Sequence, residues 1–338
     1  MDDDGSGTTL PHREEFSPDP LEHTEVSAGM TVGELVDGYA HAGFGAGELA
    51  TAVDVATAMF GDDEVRVFMG LAGAMVPAGM RRIVSDLIRD GFIDALVTTG
   101  ANLTHDTIEA IGGKHHHGRA DHPVRSEREH DERLRDERVD RIHNVYLPQE
   151  HFTAFERHLR SAVFPDLSGP VTIRELTTAL GVANQAVNES ADIEEDPGIA
   201  AAAAAADVPI YCPAIQDSVL GLQAWMYSQT NDFTLDALGD MTHLNDLAYD
   251  APRRGALLVG GGVPKNYVLQ AMLVTPTAYD YAVQLTMDPP HTGGLSGATL
   301  AEARSWGKIE PDGMDASVYA DATITLPLVI AAVRERLT

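Results

Sequence analysis

The sequence contains little cysteine, little lysine and no long apolar run. Cys212 is the only cysteine among 338 residues, so the chain can form neither an internal disulfide nor a cysteine-built metal cluster, which fits a reducing cytoplasm. No apolar run is long enough to cross a bilayer. The first 16 residues are acidic and polar and lack the basic and apolar regions of a signal peptide. These absences predict a cytoplasmic protein with no membrane partner.

Positive charge is also scarce. Asp and Glu total 52 and Lys and Arg total 23, which gives a formal net charge of −29. Such self-repulsion destabilises a fold at low salt, whereas at 1 M salt the screening length falls to about 3 Å. The acids are spread along the whole chain, which favours a salt-adapted protein over a surface that holds one cationic partner. Free nucleic acid is a poor partner for so acidic a surface.

Lysine occurs only at Lys114, Lys265 and Lys308, so nearly all the positive charge is arginine. A chain that avoids lysine on its surface has a chemical reason to keep some of those that remain. Composition alone could also leave three lysines by chance.

Apolar periodicity divides the chain into an arm and one folded domain. Residues 1 to about 25, rich in Asp, Glu and Pro, are predicted to form a mobile acidic arm. Residues 26–338 alternate helical periodicity with short apolar runs. The predicted strands are Val65–Met69, Asp94–Thr99, Val208–Cys212, Ala256–Val259 and Tyr281–Leu285, and the predicted helices include 32–44, 45–60, Gly79–Arg89, Leu220–Tyr227 and Leu235–Tyr249. This alternation predicts an α/β fold with a doubly wound, mostly parallel, Rossmann-like sheet covered by helices on both faces.

Two further segments have a structural interpretation. Arg119–Arg141 is densely charged and is predicted to form a solvated loop and helix on the periphery. The alanine run Ala200–Ala206 follows Asp196 and Pro197, which suit the start of a helix.

Three predicted strand ends carry glycine, hydroxyl or acidic residues. In a doubly wound sheet, ligands bind at the carboxyl ends of the strands, where glycine turns let backbone approach a phosphate. The three segments are Ala95–Asn102 (ALVTTGAN), Tyr211–Ser218 (YCPAIQDS) and Leu257–Tyr267 (LLVGGGVPKNY). None matches GxGxxG, so each segment taken alone is better explained as a tight structural turn.

His115, His116 and His117 form a run that invites comparison with metal sites. Consecutive side chains point in different directions, and no acid stands beside them at metal-ligand spacing. The run is therefore predicted to be a solvent-exposed loop that binds no metal.

The segment His291–Leu328 has the most specific pattern in the chain. It combines a glycine and serine turn, the acid Glu302 and the sequence SWGK, which ends at Lys308. A lysine attacks a carbonyl or imine only as the free amine, and with a reference pKa of about 10.4 only about one molecule in a few thousand is free at pH 7. Burial beside the indole of Trp306 would lower that pKa. A lysine that covers an aromatic ring on a helix surface is the alternative interpretation.

SWGKI, with an acid six residues before its lysine and VYADAT after it, resembles the active-site segment of the deoxyhypusine synthase family. The resemblance extends to GGGVPK (Gly260–Lys265), PAIQDS, LVTTG and RIHNVYLP (Arg141–Pro148), and it covers nearly the whole chain from about Val26. The SWGK and YADA pair is highly specific, and the order and spacing of the glycine turns support it. The resemblance implies the deoxyhypusine synthase fold, a homotetramer with sites at subunit interfaces, and an N-terminal segment able to cover a site entrance.

The resemblance also implies a reaction and a set of site residues. In that family NAD oxidises spermidine to an imine, and the aminobutyl unit passes to an active-site lysine and then to a lysine of initiation factor 5A. Lys308 would be the nucleophile. The residues at donor-binding positions are Glu302, Trp306, Asn266, Gly294, Leu295 and Leu222. Those at NAD-contacting positions are Thr99, Gly100, Ala101, His105, Asp217, Gly261, Asp321 and Ala322.

Four of these positions depart from the family pattern. A histidine that assists proton transfer falls on Asn266, two aspartates that hold the ends of spermidine fall on Leu222 and Leu295, and a cofactor-side glutamate falls on His105. Losing anionic partners for a buried ammonium is costly, so either the donor differs or other acids hold it. Agmatine is the alternative donor, because its guanidinium is more weakly hydrated than an ammonium.

Three functions therefore stay open from the sequence. The leading one is a deoxyhypusine synthase that uses spermidine or agmatine. The second is a homospermidine synthase-like transfer to a small diamine. The third is a non-catalytic NAD-binding homologue, suggested by the missing histidine and opposed by the intact SWGK.

Overall fold

A computed structural model describes residues 21–121, 125–194 and 196–338. The strands within these ranges are β1 (Val65–Leu71), β2 (Ala95–Thr98), β3 (His116–His117), β4 (Val139–Ile142), β5 (Val145–Pro148), β6 (Gly169–Thr172), β7 (Ile210–Tyr211), β8 (Phe233–Asp236), β9 (Arg253–Val259), β10 (Tyr279–Thr286) and β11 (Ile309–Tyr319). The α-helices are α1 (Val32–Tyr39), α2 (Phe44–Phe60), α3 (Arg81–Arg89), α4 (Gly100–Ala110), α5 (Glu127–Asp136), α6 (Glu150–His158), α7 (Ile173–Ser190), α8 (Ile199–Ala205), α9 (Val219–Ser228), α10 (Gly239–Asp250), α11 (Gly262–Gln270), α12 (Leu300–Ser305) and α13 (Ala322–Leu337).

Six strands form one parallel sheet in the order β11-β10-β9-β1-β2-β7. In chain order, β2 and then β7 are added on one side of β1. The strands β9, β10 and β11 are then added on its other side. This is the strand order of a dinucleotide-binding doubly wound sheet, with the reversal of direction between β1 and β9. The predicted α/β fold is confirmed, and two small sheets, β3-β5-β4 and β6-β8, lie outside the main one.

Alternate side chains of the central strands enter two separate cores. Met69 and Leu257 pack with α2, α3 and α13 on one face, whereas Phe68 and Leu258 pack with α10, α11 and α12 on the other. Both faces of the strands are buried, which explains why their sequences are continuous apolar runs rather than alternating ones. The second face, under α11 and α12, is the one that carries Lys308.

All five predicted strands lie in the parallel sheet, but β11 was missed. Its sequence contains Pro311, Gly313 and several acids, which central strands avoid. In the structure β11 is the edge of the sheet and pairs only with β10, where such residues are tolerated.

The predicted helix Leu235–Tyr249 is wrong at its start. Phe233–Asp236 pairs with β6 as strand β8, and helix α10 begins only at Gly239. The carboxylate of Asp236 accepts hydrogen bonds from Leu238 N (3.1 Å) and Gly239 N (2.9 Å). An aspartate that binds backbone just ahead of it favours a turn over a continuing helix.

The charged segment lies at the periphery, and most of the predicted arm lies outside the described residues. Arg119–Arg141 contains the exposed helix α5, as predicted, although its end joins strand β4. Of the arm, only residues 21–25 lie within the described ranges. There Glu22 N donates to His41 O (3.3 Å) and Thr24 Oγ1 donates to Gly38 O (3.1 Å).

Within the described ranges, no helix combines the length and the apolar character needed to span a membrane.

Candidate active site

Lys308 lies in a turn between α12 and β11 whose conformation is set by the preceding glycine, Gly307. Gly307 has φ +68°, in the left-handed region. Gly307 N donates to Arg304 O (3.0 Å), and Lys308 N donates to Ala303 O (3.1 Å). These two bonds form a Schellman motif, which terminates a helix with a residue in that region, usually glycine. The glycine of SWGK therefore stops α12 and leaves Lys308 as the last residue before β11.

A cavity of about 300 Å³ lies beside this turn, under α11 and α12. It brings together five of the predicted site residues: Lys308, Trp306, Glu302, Asn266 and Leu295. A sixth lining residue, Lys265, belongs to the GGGVPK segment but was not among the predicted site residues. The name lysine cavity is used for this space below.

The amine of Lys308 is half-buried, and burial lowers its pKa while the carboxylate of Glu302 opposes the shift. The predicted direction of the pKa is thus confirmed. Burial, the predicted cause, is also the cause in the structure, although the indole of Trp306 is itself 65% exposed. Lys308 Nζ lies over the ring of Trp306, 5.8 Å from its centroid, which is within the range of a cation–π interaction.

Lys265 is the more deeply buried of the two amines, at 3% exposure. Its Nζ donates to Leu295 O (3.3 Å) and, at closer range, to Ala298 O. Burial lowers the pKa of Lys265 to about 8, with Lys308 adding to the shift and Glu302 opposing it. Sequence reasoning named Lys265 as one of three lysines and as the last residue of GGGVPK, but gave it no role in the site. Its burial arises from the packing of α11 on the sheet, which no local pattern reveals.

The turn before α12, at residues 295–298, accepts hydrogen bonds from three residues elsewhere in the chain. Besides the two bonds from Lys265, Gln284 Nε2 on β10 donates to Ser296 O (2.9 Å). Gly262 N at the start of α11 donates to Ser296 Oγ (3.0 Å). The residues 295–298 therefore connect the lysine cavity to the end of β9.

The predicted cofactor residues, apart from His105, follow the carboxyl ends of four parallel strands. Thr99, Gly100 and Ala101 follow β2, Asp217 follows β7, Gly261 follows β9, and Asp321 and Ala322 follow β11. Beside them, a Cβ on Gly260 would lie 3.2 Å from the Cβ of Ala72, which follows β1. The crevice at the reversal point of the sheet, where such folds bind dinucleotides, is therefore bordered by Gly260 and Gly261.

Four helices begin at this edge of the sheet: α4, α9, α11 and α13. Thr99, Ser218 and Asp321 cap three of them with their side chains, whereas α11 follows Gly261 and has no side-chain cap. Helix N-termini present N–H groups and positive partial charge, which suit an anionic group such as a pyrophosphate. The geometry of this edge fits a dinucleotide.

His105 lies in the second turn of α4 and belongs to a hydrogen-bonded chain of three side chains. His115 Nε2 lies 2.9 Å from His105 Nδ1, and His115 Nδ1 lies 2.6 Å from Glu109 Oε1. Burial, followed by the neighbouring His115, lowers the pKa of His105 to about 4, while Glu109 opposes the shift. His105 is therefore neutral over the physiological range of pH.

The prediction of a solvent-exposed loop at His115–His117 is wrong about exposure for His115 and about secondary structure for His116 and His117. The side chain of His115 is 7% exposed, whereas His116 and His117 are exposed and form β3. The acid that contacts His115, Glu109, stands six residues earlier on α4, a spacing that does not suggest contact. His115 and Asp321 line one cleft of about 590 Å³. Among the described residues, no group of three or more His, Cys, Asp or Glu side chains is arranged to hold a metal ion.

Two predicted donor-binding residues, Leu222 and Gly294, lie outside the lysine cavity, as do all the predicted cofactor residues. Leu222, on α9, is 49% exposed. Gly294 and Asp217 lie in exposed turns. Asn266 does line the cavity, but its amide is engaged, because Nδ2 donates to Gln270 Oε1 (3.1 Å).

The fold and the site define a doubly wound α/β protein in which a cavity with two amines adjoins a dinucleotide-type crevice. The family model of deoxyhypusine synthase matches residues 34–333. The chain is 50% identical to the probable deoxyhypusine synthase 1 of Methanosarcina mazei over 94% of this chain and 96% of that protein. It is 41% identical to the probable deoxyhypusine synthase of Methanothermobacter thermautotrophicus over 92% and 96%, respectively. The chain belongs to the deoxyhypusine synthase family.

Solved structures agree on the fold. A proposed deoxyhypusine synthase from Entamoeba histolytica matches with a TM-score of 0.59 at 17% identity, over 90% of this chain and 93% of that one. A structure of AgrE matches with a TM-score of 0.52 at 15% identity, over 86% of this chain and 33% of AgrE.

Proposed function

We propose that this protein is a deoxyhypusine synthase that works with NAD. It moves a 4-aminobutyl or guanidinobutyl group from spermidine or agmatine, through an imine on Lys308, to a lysine of initiation factor 5A. The observation that carries the proposal is the position of Lys308, half-buried in a cavity that a single turn connects to the dinucleotide-type crevice. Membership of the family supports this function over homospermidine formation and over a non-catalytic role.

NAD, when bound, supplies the oxidation that makes a donor carbon electrophilic and the reduction that completes the transfer. The residues proposed to hold it are those at the carboxyl edge, from Thr99 after β2 to Asp321 after β11, with His105 beside them on α4. Gly261 supplies no side-chain cap to α11 and Gly262 N donates to Ser296 Oγ, so the remaining backbone N–H groups of this turn are those offered to the pyrophosphate. The AgrE structure, which shares the fold, is a complex with ornithine and NAD⁺, and this supports the same use of the crevice here.

The lysine cavity performs the transfer itself. Lys308 Nζ attacks the electrophilic carbon of the donor, and the donor's other amine departs, which leaves the carried group as an imine on Lys308. The carboxylate of Glu302 attracts the cationic end of the donor, and the ring of Trp306 stacks on it. The acceptor lysine then attacks the same carbon and releases Lys308.

The surface around the cavity supports a site completed by a second subunit. Trp306, Leu273 and Leu295 are 65%, 51% and 44% exposed at its mouth. Apolar side chains grouped in this way mark an interaction surface. We propose a homotetramer of single-domain subunits in the cytoplasm, whose acidic N-terminal arm reaches a site entrance.

The test is mass spectrometry of initiation factor 5A after incubation with the enzyme, NAD and each donor in turn. The expected product is one lysine that carries the aminobutyl or guanidinobutyl mass. The variant Lys308→Arg keeps the charge but cannot form the imine, so transfer should vanish while NAD binding persists. Lys114→Arg is the matched control and should retain transfer. An unmodified factor with every donor, or transfer that survives in Lys308→Arg, contradicts the proposal.

A further inference from the structure

The two amines of the lysine cavity differ in what surrounds them. Lys308 reaches the open part of the cavity beside an exposed indole. Lys265 is 3% exposed, and its Nζ donates to the carbonyls of Leu295 and Ala298. Within the described ranges, no carboxylate lies within ion-pair distance of Lys265 Nζ. A buried lysine satisfied by two neutral carbonyls is unusual, because a buried ammonium normally has an anionic partner.

The two carbonyls fix the directions of the remaining bonds at Lys265 Nζ. A neutral amine carries two N–H bonds and one lone pair, and a protonated amine carries a third N–H instead. With two N–H bonds donated to Leu295 O and Ala298 O, the remaining tetrahedral position is the lone pair of the neutral form. The same carbonyls stabilise the protonated form, so Nζ can take up a proton without losing its hydrogen bonds.

Of the two amines, Lys265 has the more strongly lowered pKa. Burial lowers it to about 8, an effect that Glu302 opposes and that Lys308 reinforces. A lysine with a pKa near 8 can exchange protons at working pH. Glu302, the other titratable group that lines the cavity, is exposed and attracts the charge of both lysines. The charge of Glu302 therefore raises the pKa of both lysines and opposes the loss of their protons. The amide of Asn266 does not titrate.

We infer that Lys265 is the proton acceptor of the lysine cavity: it takes the proton that Lys308 sheds as the carbon–nitrogen bond forms. The lone pair of Lys308 Nζ bonds to the electrophilic carbon, the π pair of that carbon's double bond moves onto the donor's heteroatom, and the electrons of one N–H bond of Lys308 stay on its nitrogen. The released proton binds the lone pair of Lys265 Nζ, so the charge of the cavity is unchanged. This inference deepens the proposed function and rests on Lys308 as its nucleophile.

The test follows imine formation on Lys308 without donor or NAD. Butanal is the probe, cyanoborohydride traps the imine, and peptide mass spectrometry locates the label from pH 6.5 to pH 10. Because the chain has only three lysines, each label is assigned without ambiguity. The wild-type rate at Lys308 should rise through an inflection near pH 8, the value to which burial lowers the pKa of Lys265.

Two substitutions at Lys265 separate proton transfer from simple repulsion of charge. Lys265→Met has no amine, and Lys265→Arg keeps the cation and its hydrogen bonds but cannot release a proton in this range. Both variants should label Lys308 about tenfold more slowly at pH 7.5 and lose the inflection. If Lys265 acted through its charge alone, the arginine variant would match or exceed the wild-type rate.

The controls keep the outcome interpretable. Lys114→Met should label Lys308 at the wild-type rate, and circular dichroism in high salt should show each variant folded. If Lys265→Met does not fold, the arginine variant alone decides the question. An arginine variant as fast as the wild type, an unchanged methionine variant, or a wild-type label mainly on Lys265 overturns the inference. Since the assay contains neither donor nor cofactor, it stays valid even if the proposed transfer to initiation factor 5A fails.

Discussion

Gly261 and Ser296 touch so closely that a Cβ on Gly261 would lie 2.3 Å from Ser296 Cα. No real Cβ is found so close to a backbone carbon, so Gly261→Ala must displace the turn at residues 295–298. The carbonyls of Leu295 and Ala298 in that turn also accept the hydrogen bonds from Lys265 Nζ. We expect the variant to fold, to bind NAD more weakly, and to lose at least about tenfold in transfer rate, equivalent to about 1.4 kcal/mol. Fluorescence titration with NADH and the transfer assay measure the two effects.

The matched control is Gly45→Ala on α2, where an added Cβ would meet nothing within 4 Å. It should retain both NAD binding and transfer. Normal activity in Gly261→Ala would mean that the contact between the two turns has no part in the reaction.

The donor is expected to be agmatine rather than spermidine. Glu302 is the only carboxylate that lines the lysine cavity within the described ranges, and Leu295 lines it at a position where the resemblance implies an aspartate in the family. A guanidinium spreads five donors over neutral carbonyls and one acid and stacks on Trp306, whereas an ammonium seeks several carboxylates. A tenfold preference needs only about 1.4 kcal/mol. The ratio of kcat/KM for the two donors in high salt measures it, and a larger value for spermidine would refute the prediction.

Stability is expected to rise with salt. The formal net charge of −29 makes the native state repel itself at low ionic strength. Between 0.2 and 3 M KCl the screening length falls below about 8 Å and then below about 3 Å, which removes most of this repulsion. The melting temperature should therefore increase steeply over this range. A flat response would show that the acidity serves a binding partner instead.

His105 should make the protein less stable in mild acid. Its pKa is about 4 in the native state and about 6.5 in an unfolded chain, so below pH 6.5 the unfolded state takes up more protons. Its contribution to stability is fully present above pH 6.5 and is lost as the pH falls towards 4. Burial also lowers the pKa of His151, His158 and His243, so they act in the same direction.

The measurement is the difference in melting temperature between pH 7.5 and pH 5.0 at constant high salt. His105→Gln, which stays neutral, should reduce this difference, and His41→Gln at an exposed position should leave it unchanged. An equal difference in His105→Gln and the wild type would assign the acid sensitivity to other groups.

Five strands of the main sheet could be predicted from the sequence, but neither the turn that carries Lys308 nor the depth of the lysine cavity could. Apolar runs such as Val65–Met69 reveal strands directly, because strands buried on both faces need apolar side chains throughout. SWGK carried the family resemblance, but that it ends a helix in a Schellman motif became clear only from the structure. The burial of Lys265 and the contact of His115 with Glu109 depend on how helices pack, and the spacing of residues does not report that packing.

The strand order has a consequence for the order of events during synthesis. The innermost strand, β1, gains its second neighbour only through Val65–Leu71 pairing with Arg253–Val259. About three quarters of the chain must therefore leave the ribosome before the centre of the sheet can close. Contacts of such long sequence separation form slowly. Until then, the apolar faces of β1 and β2 stay partly uncovered, and such exposed surface makes a nascent chain prone to aggregation.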